Sequence, residues 1–486
     1  MSARVARTEH AGRPKGERAQ QAKDLLTSTL DPITRPLARL GLRKSAIDRA
    51  AEPPLSPWAP IDLDDDAVVT QVLQLALDIA DVLLSSGEGA ADTALQAQSV
   101  AASFGLPHAT AEVTFTSLTM AVGRRPGRPP VSAIKVVQYR TIDLTRMMRI
   151  TALIDRIIRR EVTLERATQE VEEINKAPHP YGFNLAITGW SLLAAGVVTQ
   201  FGGQPLSAGL AFVSVFLTMW VNRLLSNAGL PVFFQQFVGG FIAGGVALSA
   251  YEILQDTSFD VRPSQIVAAG IIVLLAGLTL VGAIEDAITG YPVTSAGRIV
   301  ETMMLTGGIV GGIAAAMALI ARFGVETPQI NPTIYGTAPF VVSFFAAGIG
   351  AAGFALASYA TKSAILLSGV VGAISYSVYA LSTDLDLGAI VGSGLAAMVA
   401  GLIGGILARL FGIPTVVVTI AGVAPLLPGL SLYRGLAGLL SDDASSALQQ
   451  LFQAGGTAVA LAAGIVFGEW ITRAMRKTQA TDLSIG

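Results

Sequence analysis

From Tyr181 to the C-terminus the chain is a succession of apolar runs, each close to the roughly 20 residues a helix needs to cross a bilayer core. Nothing else in the sequence narrows the fold so far. In lipid, every backbone N–H and C=O must find its partner inside the segment, so runs of this kind are helices. Ten are placed, at 181–200, 206–225, 233–254, 264–283, 299–320, 338–359, 363–381, 387–408, 414–432 and 455–473. Composition agrees: 52% of residues are hydrophobic and 14% charged, where a soluble domain carries roughly 25% charged residues.

Lysines and arginines in the short loops set the orientation. If the part before Tyr181 is cytoplasmic, the inner side receives Arg223, Arg298, Lys362, Arg409, Arg473, Arg476 and Lys477. The outer side receives Arg262, Arg322 and Arg434, with the acidic stretches STDLDL and SDDAS. Both termini then lie inside a multi-pass protein of the cell membrane.

Residues 1–63 form a basic arm and Pro-rich linker, expected to be largely disordered. Its cations suit either anionic lipid or plain solvation. No apolar stretch follows them, so no cleavable signal peptide is expected. Residues 64–178 look like a small cytoplasmic α+β domain. A helix of period 3.6 stops at Gly87, and a second is opened by Asp92 as N-cap. Two β-branched strands, ATAEVTFTSLTMAV and SAIKVVQYRTIDL, are joined by GRRPGRPP, and two amphipathic helices follow. The chain has no cysteine and three histidines, which excludes disulfides and thiolate chemistry and leaves little for imidazole sites. No serine–histidine–acid set, metal cluster or phosphate loop stands out. A net charge of −2 gives no sign of a nucleic-acid partner, and no cofactor is implied.

The stretch AGIIVLLAGLTLVG (Ala269–Gly282) aligns without gaps on AGVAPLLPGLSLYR (Ala421–Arg434), with half of the positions identical and Thr279 facing Ser431. The copies lie on the fourth and ninth spans. Five spans per unit is an odd number, so the two units would run in opposite senses across the membrane. The expected fold is therefore an α-helical polytopic membrane protein, a 5+5 inverted repeat (179–330 and 331–486, the second with a short tail) behind the α+β domain. Inverted repeats hold substrate at their interface, on interrupted helices. Pro425 and Pro428 remove the usual partners of the Ala421 and Ala424 carbonyls, and Gly270 and Gly277 weaken the matching helix. A cavity-lining break and a plain kink both fit this pattern.

Ionisable groups are costly in hydrocarbon and tend to mark function. Glu285 and Asp286 fall at the inner end of the fourth span. Arg298 begins the fifth, with Glu301 three residues on and able to pair with it. The intervening TGYPVTSAG could form a re-entrant hairpin. An inner gate is one reading; anchoring charges with a surface ion pair are the other. On physical grounds the candidate substrate-binding residues are Gln235, Thr279, Arg298, Ser431, Tyr433 and Arg434. The candidate proton-coupling acids are Asp286, Glu301 and Glu252.

The motifs SPWAPIDL, LLSSG, GLPVFFQQFVGGF, PSQIVAAGIIVLLAGLTLV, EDAITGYPVTSAGRIVET, PLLPGLSLYRG and GEW, in this order from about Pro57, resemble the threonine/serine exporter (ThrE) family. The resemblance implies a secondary exporter of threonine and serine with ten spans, driven by the proton-motive force. Threonine, serine, protons and the lipid bilayer are its implied partners, and a homo-oligomer is left open. Two other readings stay in view: a carrier of small carboxylates or dicarboxylates, and a membrane-tethered hydrolase acting through residues 64–178.

Overall fold

Helix α1 (Asp66–Ser85) is apolar enough to cross a membrane, yet it is the centre of a small α+β layer. Asp65 caps it, its carboxylate accepting the N–H groups of Ala67 and Val68. Its Leu73, Ile79 and Leu83 are buried with Met147, Ile150 and Leu153 of α3 (Leu144–Ile158). Around α1 pack α2 (Ala90–Ser103), a three-stranded antiparallel sheet in the order β1–β2–β3 (Thr110–Thr114, Ser117–Val122, Val131–Val136) and α4 (Leu164–Lys176). The structure, a computed structural model, describes residues 65–123, 129–137, 142–255, 262–274, 277–323, 338–439 and 444–483. The arm and linker expected over 1–63 lie outside these.

Two expectations for this layer are corrected. The first predicted strand is a hairpin, with Thr114 paired to Ser117 across a Phe115–Thr116 turn in which Phe115 takes a positive φ of 53°. Helix α2 starts at Ala90, so Asp92 lies inside its first turn and is not its cap.

Ten helical passages follow. They are α5 (Phe183–Gln200), α6 (Pro205–Asn227), α7 (Val232–Leu254), the bent pair α8 (Pro263–Leu274) and α9 (Gly277–Ile288), and α10 (Pro292–Ala321). After them come α11 (Phe340–Ala357), α12 (Lys362–Asp384), α13 (Gly388–Phe411), the bent pair α14 (Thr415–Val423) and α15 (Gly429–Leu439), and α16 (Ala444–Leu483). Among the described residues, eight of these helices are each long and apolar enough to span a bilayer. The two pairs pass the same test together, bent by 46° and 49°. The chain is a polytopic helical membrane protein.

Helix boundaries recur. Helices α5 and α11 have 18 residues each and start 157 apart (340 − 183); α6 and α12 have 23 each and start 157 apart (362 − 205). Helices α8 and α14 start 152 apart (415 − 263), the offset that aligns Ala269 with Ala421. The pairings recur as well. Helix α7 runs parallel to α10, Phe233 meeting Gly308 and Gly244 meeting Ala316; α13 runs parallel to α16, Gly394 meeting Ala460 and Gly405 meeting Thr472. Helices α5 and α11 run antiparallel, Gly189 against Ala357 and Gly196 against Ala346. Glycines at these points let backbones approach as far as small-residue membrane interfaces allow.

Three further expectations change at the turns. The chain between α9 and α10 is a tight turn with Gly290 at φ 98°, not a re-entrant hairpin. Helix α10 starts at Pro292, a residue suited to a first turn, which puts Arg298 in its second turn. At the second break a 3₁₀ turn over Ala424–Leu426 re-pairs the carbonyls that proline would have freed. Ala421 O accepts the Ala424 N–H, and Ala424 O accepts the Leu427 N–H at 3.4 Å.

Candidate functional site

Both breaks open on one cavity of about 660 Å³, inside the range of about 300–1,000 Å³ usual for small-molecule sites. Leu274, Leu278 and Thr279 reach it from the first break, Ala424 and Leu427 from the second. Its deeper wall is apolar, with Leu193, Trp190 and Phe354, the last two rings meeting edge to face at 5.4 Å. Its mouth is polar, lined by Asn222, Arg223, Gln235, Gln236 and Tyr359 at the helix ends nearest the α+β layer. The Gln235 amide is oriented by donating to Leu230 O at 2.7 Å. The Arg223 guanidinium lies 3.9 Å from the centroid of the Phe183 ring. Asn222 Oδ1 and Gln236 Oε1 are buried with no hydrogen-bond partner among the described residues. Two unmatched acceptors facing an apolar-walled chamber suit a ligand that brings donors, such as an ammonium or hydroxyl group.

The α+β layer closes one side of this mouth. Leu144 N–H, at the start of α3, donates to Ser358 O just past the end of α11, and Thr145 Oγ1 donates to Tyr359 O. Asp143 caps α3 through Arg146 N–H and holds His179 Nδ1 at 2.7 Å, while the imidazole stacks on Tyr359 at 3.9 Å. That carboxylate–imidazole pair is taken up in docking. At the other side, Thr294 Oγ1 accepts the Phe115 N–H at 3.0 Å and donates to Val113 O at 2.9 Å, and the Phe115 ring sits over Gly297.

Asp286 joins the two parts most tightly. It is 0% exposed; its Oδ2 lies 2.8 Å from Arg298 Nη1, and its Oδ1 accepts the Ala90 N–H at 2.9 Å. The cap of α2 thus comes from a residue 196 positions away. An anion belongs there, because a helix N-terminus offers unpaired N–H groups and a positive dipole end. Arg298, read from the sequence as able to pair with Glu301, reaches across to α9 and meets Asp286.

Close by is a second, smaller cavity of about 40 Å³. Glu88 and Asp92 line it from the α+β layer, Glu285 from α9 and Glu469 from α16. Arg473 lies 3.6 Å from Asp92 and 3.2 Å from Glu469. Glu88 is 4% exposed, and its carboxyl is held well above the usual carboxylate range, first by burial and then by Asp92, Glu469 and Glu285.

Comparison with known proteins bears on what such a chamber serves. Residues 74–320 match the family model described as "Putative threonine/serine exporter", and residues 343–471 match a second, described as "Threonine/Serine exporter, ThrE". A "Threonine/serine exporter" of Corynebacterium glutamicum is 38% identical over 446 residues, 90% of this chain and 90% of the relative. The chain belongs to the threonine/serine exporter family. A "Probable threonine/serine exporter" of Mycobacterium tuberculosis is 33% identical over 422 residues, covering 85% of this chain and 78% of that one. No solved structure matches. In this member of the ThrE family the two models meet between α10 and α11, where the first five passages end.

Within this family member, the residues expected to bind substrate fall into three places. Gln235 and Thr279 line the large cavity. Arg298 lies under the α+β layer, paired to Asp286. Ser431, Tyr433 and Arg434 sit on α15, outside the cavity wall. Arg434 is five residues short of the end of α15, and its Nε and Nη2 are buried with no hydrogen-bond partner among the described residues. Of the expected proton-coupling acids, Asp286 is buried, Glu301 half-buried on α10 and Glu252 exposed at the far end of α7. Asn222, Arg223 and Tyr359 were missed. Asn222 and Arg223 stand near the end of an apolar run, where they resemble interface anchors; Tyr359 reaches the mouth only through the turn after α11.

Proposed function

We propose that this protein is a secondary exporter of threonine and serine, driven by the proton-motive force, with substrate held in the large cavity. The observation that carries this reading is the convergence of both broken helices on one chamber, the arrangement that inverted-repeat transporters use at the membrane midplane. The recurring helix boundaries and parallel pairs support two five-helix units of opposite orientation, residues 179–330 and 331–486, behind a cytoplasmic unit of residues 64–178. The mouth lies toward that unit, so the conformation is inward-facing and both termini are cytoplasmic. That side also collects Arg223, Arg298, Lys362, Arg409 and Arg473, as positively charged inner loops require.

In the chamber, Arg223 takes the substrate carboxylate. The unmatched acceptors of Asn222 and Gln236 take its ammonium, and Gln235 and Thr279 contact its hydroxyl. Arg434, with its sequestered guanidinium on α15, serves the outer half of the route. The names of the relatives support threonine and serine over dicarboxylates, and so does a chamber that offers acceptors as well as a cation. Purified protein in proteoliposomes is expected to exchange labelled threonine in counterflow, with serine competing and a dicarboxylate not. A pH gradient should accelerate net movement, while Gln236→Ala and Thr279→Val lower exchange with insertion unchanged. Counterflow that is absent, or that a dicarboxylate supports better, overturns the reading.

A further inference from the structure

We propose that Glu88, Asp92, Glu285 and Glu469 form one shared proton-binding site between the α+β layer and the membrane helices, and that its occupancy holds the two together. Four carboxyls from three separate parts of the chain line a space of about 40 Å³. That is room for one or two waters and far too little for an amino acid. Arg473 answers Asp92 and Glu469, and Arg298 is committed to Asp286, which leaves negative charge in surplus at the Glu88–Glu285 side. A Cβ on Gly89 would lie 3.6 Å from Glu285 Oε1, so the Glu285 carboxyl reaches across the interface to the backbone next to Glu88.

A second observation points to an occupant that donates hydrogen bonds. Gln96 and Thr419 line the same space, are 2% and 0% exposed, and have Oε1 and Oγ1 with no hydrogen-bond partner among the described residues. A protonated carboxyl, or a water it orders, supplies the donors these atoms lack. Among the described residues no acidic cluster has the geometry of a metal site, so the proton is the cation assigned.

The sign follows from where the charge sits. Docked, Glu88 faces Asp92 on its own layer, Glu285 on α9, and Glu469 and Arg473 on α16, with the Asp286–Arg298 pair beside Glu285. Burial among these groups raises its affinity for a proton; undocked in water, it returns to an ordinary carboxyl. The docked form therefore binds more protons, and docking weakens as pH rises from the ordinary carboxylate value through the raised one. Docking also shapes the mouth of the large cavity, through Leu144 and Ser358. This gives proton-driven export a place to bind its proton, and it rests on that reading only for its consequence.

The test needs no transport, so either proposal can fail alone. The chain has no native cysteine, so Ala91→Cys beside the docked start of α2 can be labelled with a maleimide in full-length protein, with exposed Ala228→Cys as the reference for thiol reactivity. The ratio of labelling rates should rise as pH is raised above the ordinary carboxylate range, by up to about tenfold per unit for one linked proton. In Glu88→Gln/Glu285→Gln, where neutral amides replace the protonated carboxyls, it should stay low throughout. In pH-difference infrared spectra the parent protein should show a protonated-carboxyl stretch at neutral pH that Glu88→Gln or Glu285→Gln removes. A flat ratio in the parent, a double variant that labels as fast as the parent at high pH, or a band that neither substitution changes overturns the proposal. A ratio that falls when sodium replaces choline at fixed pH also overturns it, marking an alkali cation as the occupant.

Discussion

Asp286 is where one side chain does most to define this molecule. Its two oxygens serve different masters, Oδ2 the Arg298 guanidinium and Oδ1 the first N–H of α2. Both Asp286 and Arg298 are almost fully buried, at 0% and 8% side-chain exposure. Breaking such a pair from one side leaves an uncompensated charge, at a cost of about 3–5 kcal/mol, whereas removing both partners costs far less. Asp286→Asn keeps an acceptor for Ala90 but strands Arg298; it should lower the thermal unfolding temperature of the purified protein markedly. Asp286→Asn/Arg298→Leu should recover most of that loss. A double variant no more stable than the single one would mean that the cap, not the ion pair, carries the stability. The importance of Asp286 was legible from sequence, since an acid at the end of an apolar run is costly. Its partners were not: Arg298 looked like the partner of Glu301 at i+3, and nothing local to α2 says that its N-cap lies 196 residues away.

Among elements, what the sequence shows and hides follows from the range of the interactions. Spans were legible because hydropathy is local and lipid tolerates no unpaired backbone. Both weak helices were legible too, but proline's effect was not: the freed carbonyls are taken by a 3₁₀ turn, which only the neighbouring φ and ψ values decide. The β1–β2 hairpin was missed because TFTS contains no Gly, Asn, Asp or Pro to signal a turn. Phe115 accepts a left-handed conformation there because its ring and N–H are held against Gly297 and Thr294 of α10. Helix pairing carries its own test. A Cβ on Gly312 would lie 1.9 Å from Phe237 O, whereas one on Gly307 meets nothing within 4 Å. Gly312→Ala should therefore drive α7 and α10 apart, costing at least the ~1–3 kcal/mol typical of overpacking. Gly307→Ala, on the same helix, should be neutral or stabilise by up to ~1 kcal/mol. Thermal unfolding in detergent separates the two, and equal losses would contradict the close approach.

At the scale of the whole molecule, the α+β layer spans both halves of the membrane part. It holds the first half through Asp286 and Thr294, and the second through Ser358, Tyr359 and Arg473. If the two units are inverted, as proposed, alternating access would require a layer tied to both halves at one face to move, or let go, when the halves rock to open the opposite face. This role depends on the direction of every passage. The contacts fix the relative sense: α7 and α10 run together, as do α13 and α16, while α5 and α11 oppose. The absence of native cysteine makes the absolute sense measurable with single introduced thiols. Ala228 and Thr289 are exposed at turns on the side of the α+β layer; Gln204, just before α6, and Asp384, the last residue of α12, are exposed on the other. In intact cells, a membrane-impermeant maleimide should label Gln204→Cys and Asp384→Cys and spare Ala228→Cys and Thr289→Cys. Inside-out vesicles should reverse the pattern. Labelling of Gln204→Cys and Asp384→Cys from opposite faces would mean an even number of crossings in the first unit, which makes the two units parallel and removes the reason for substrate to sit where their broken helices meet.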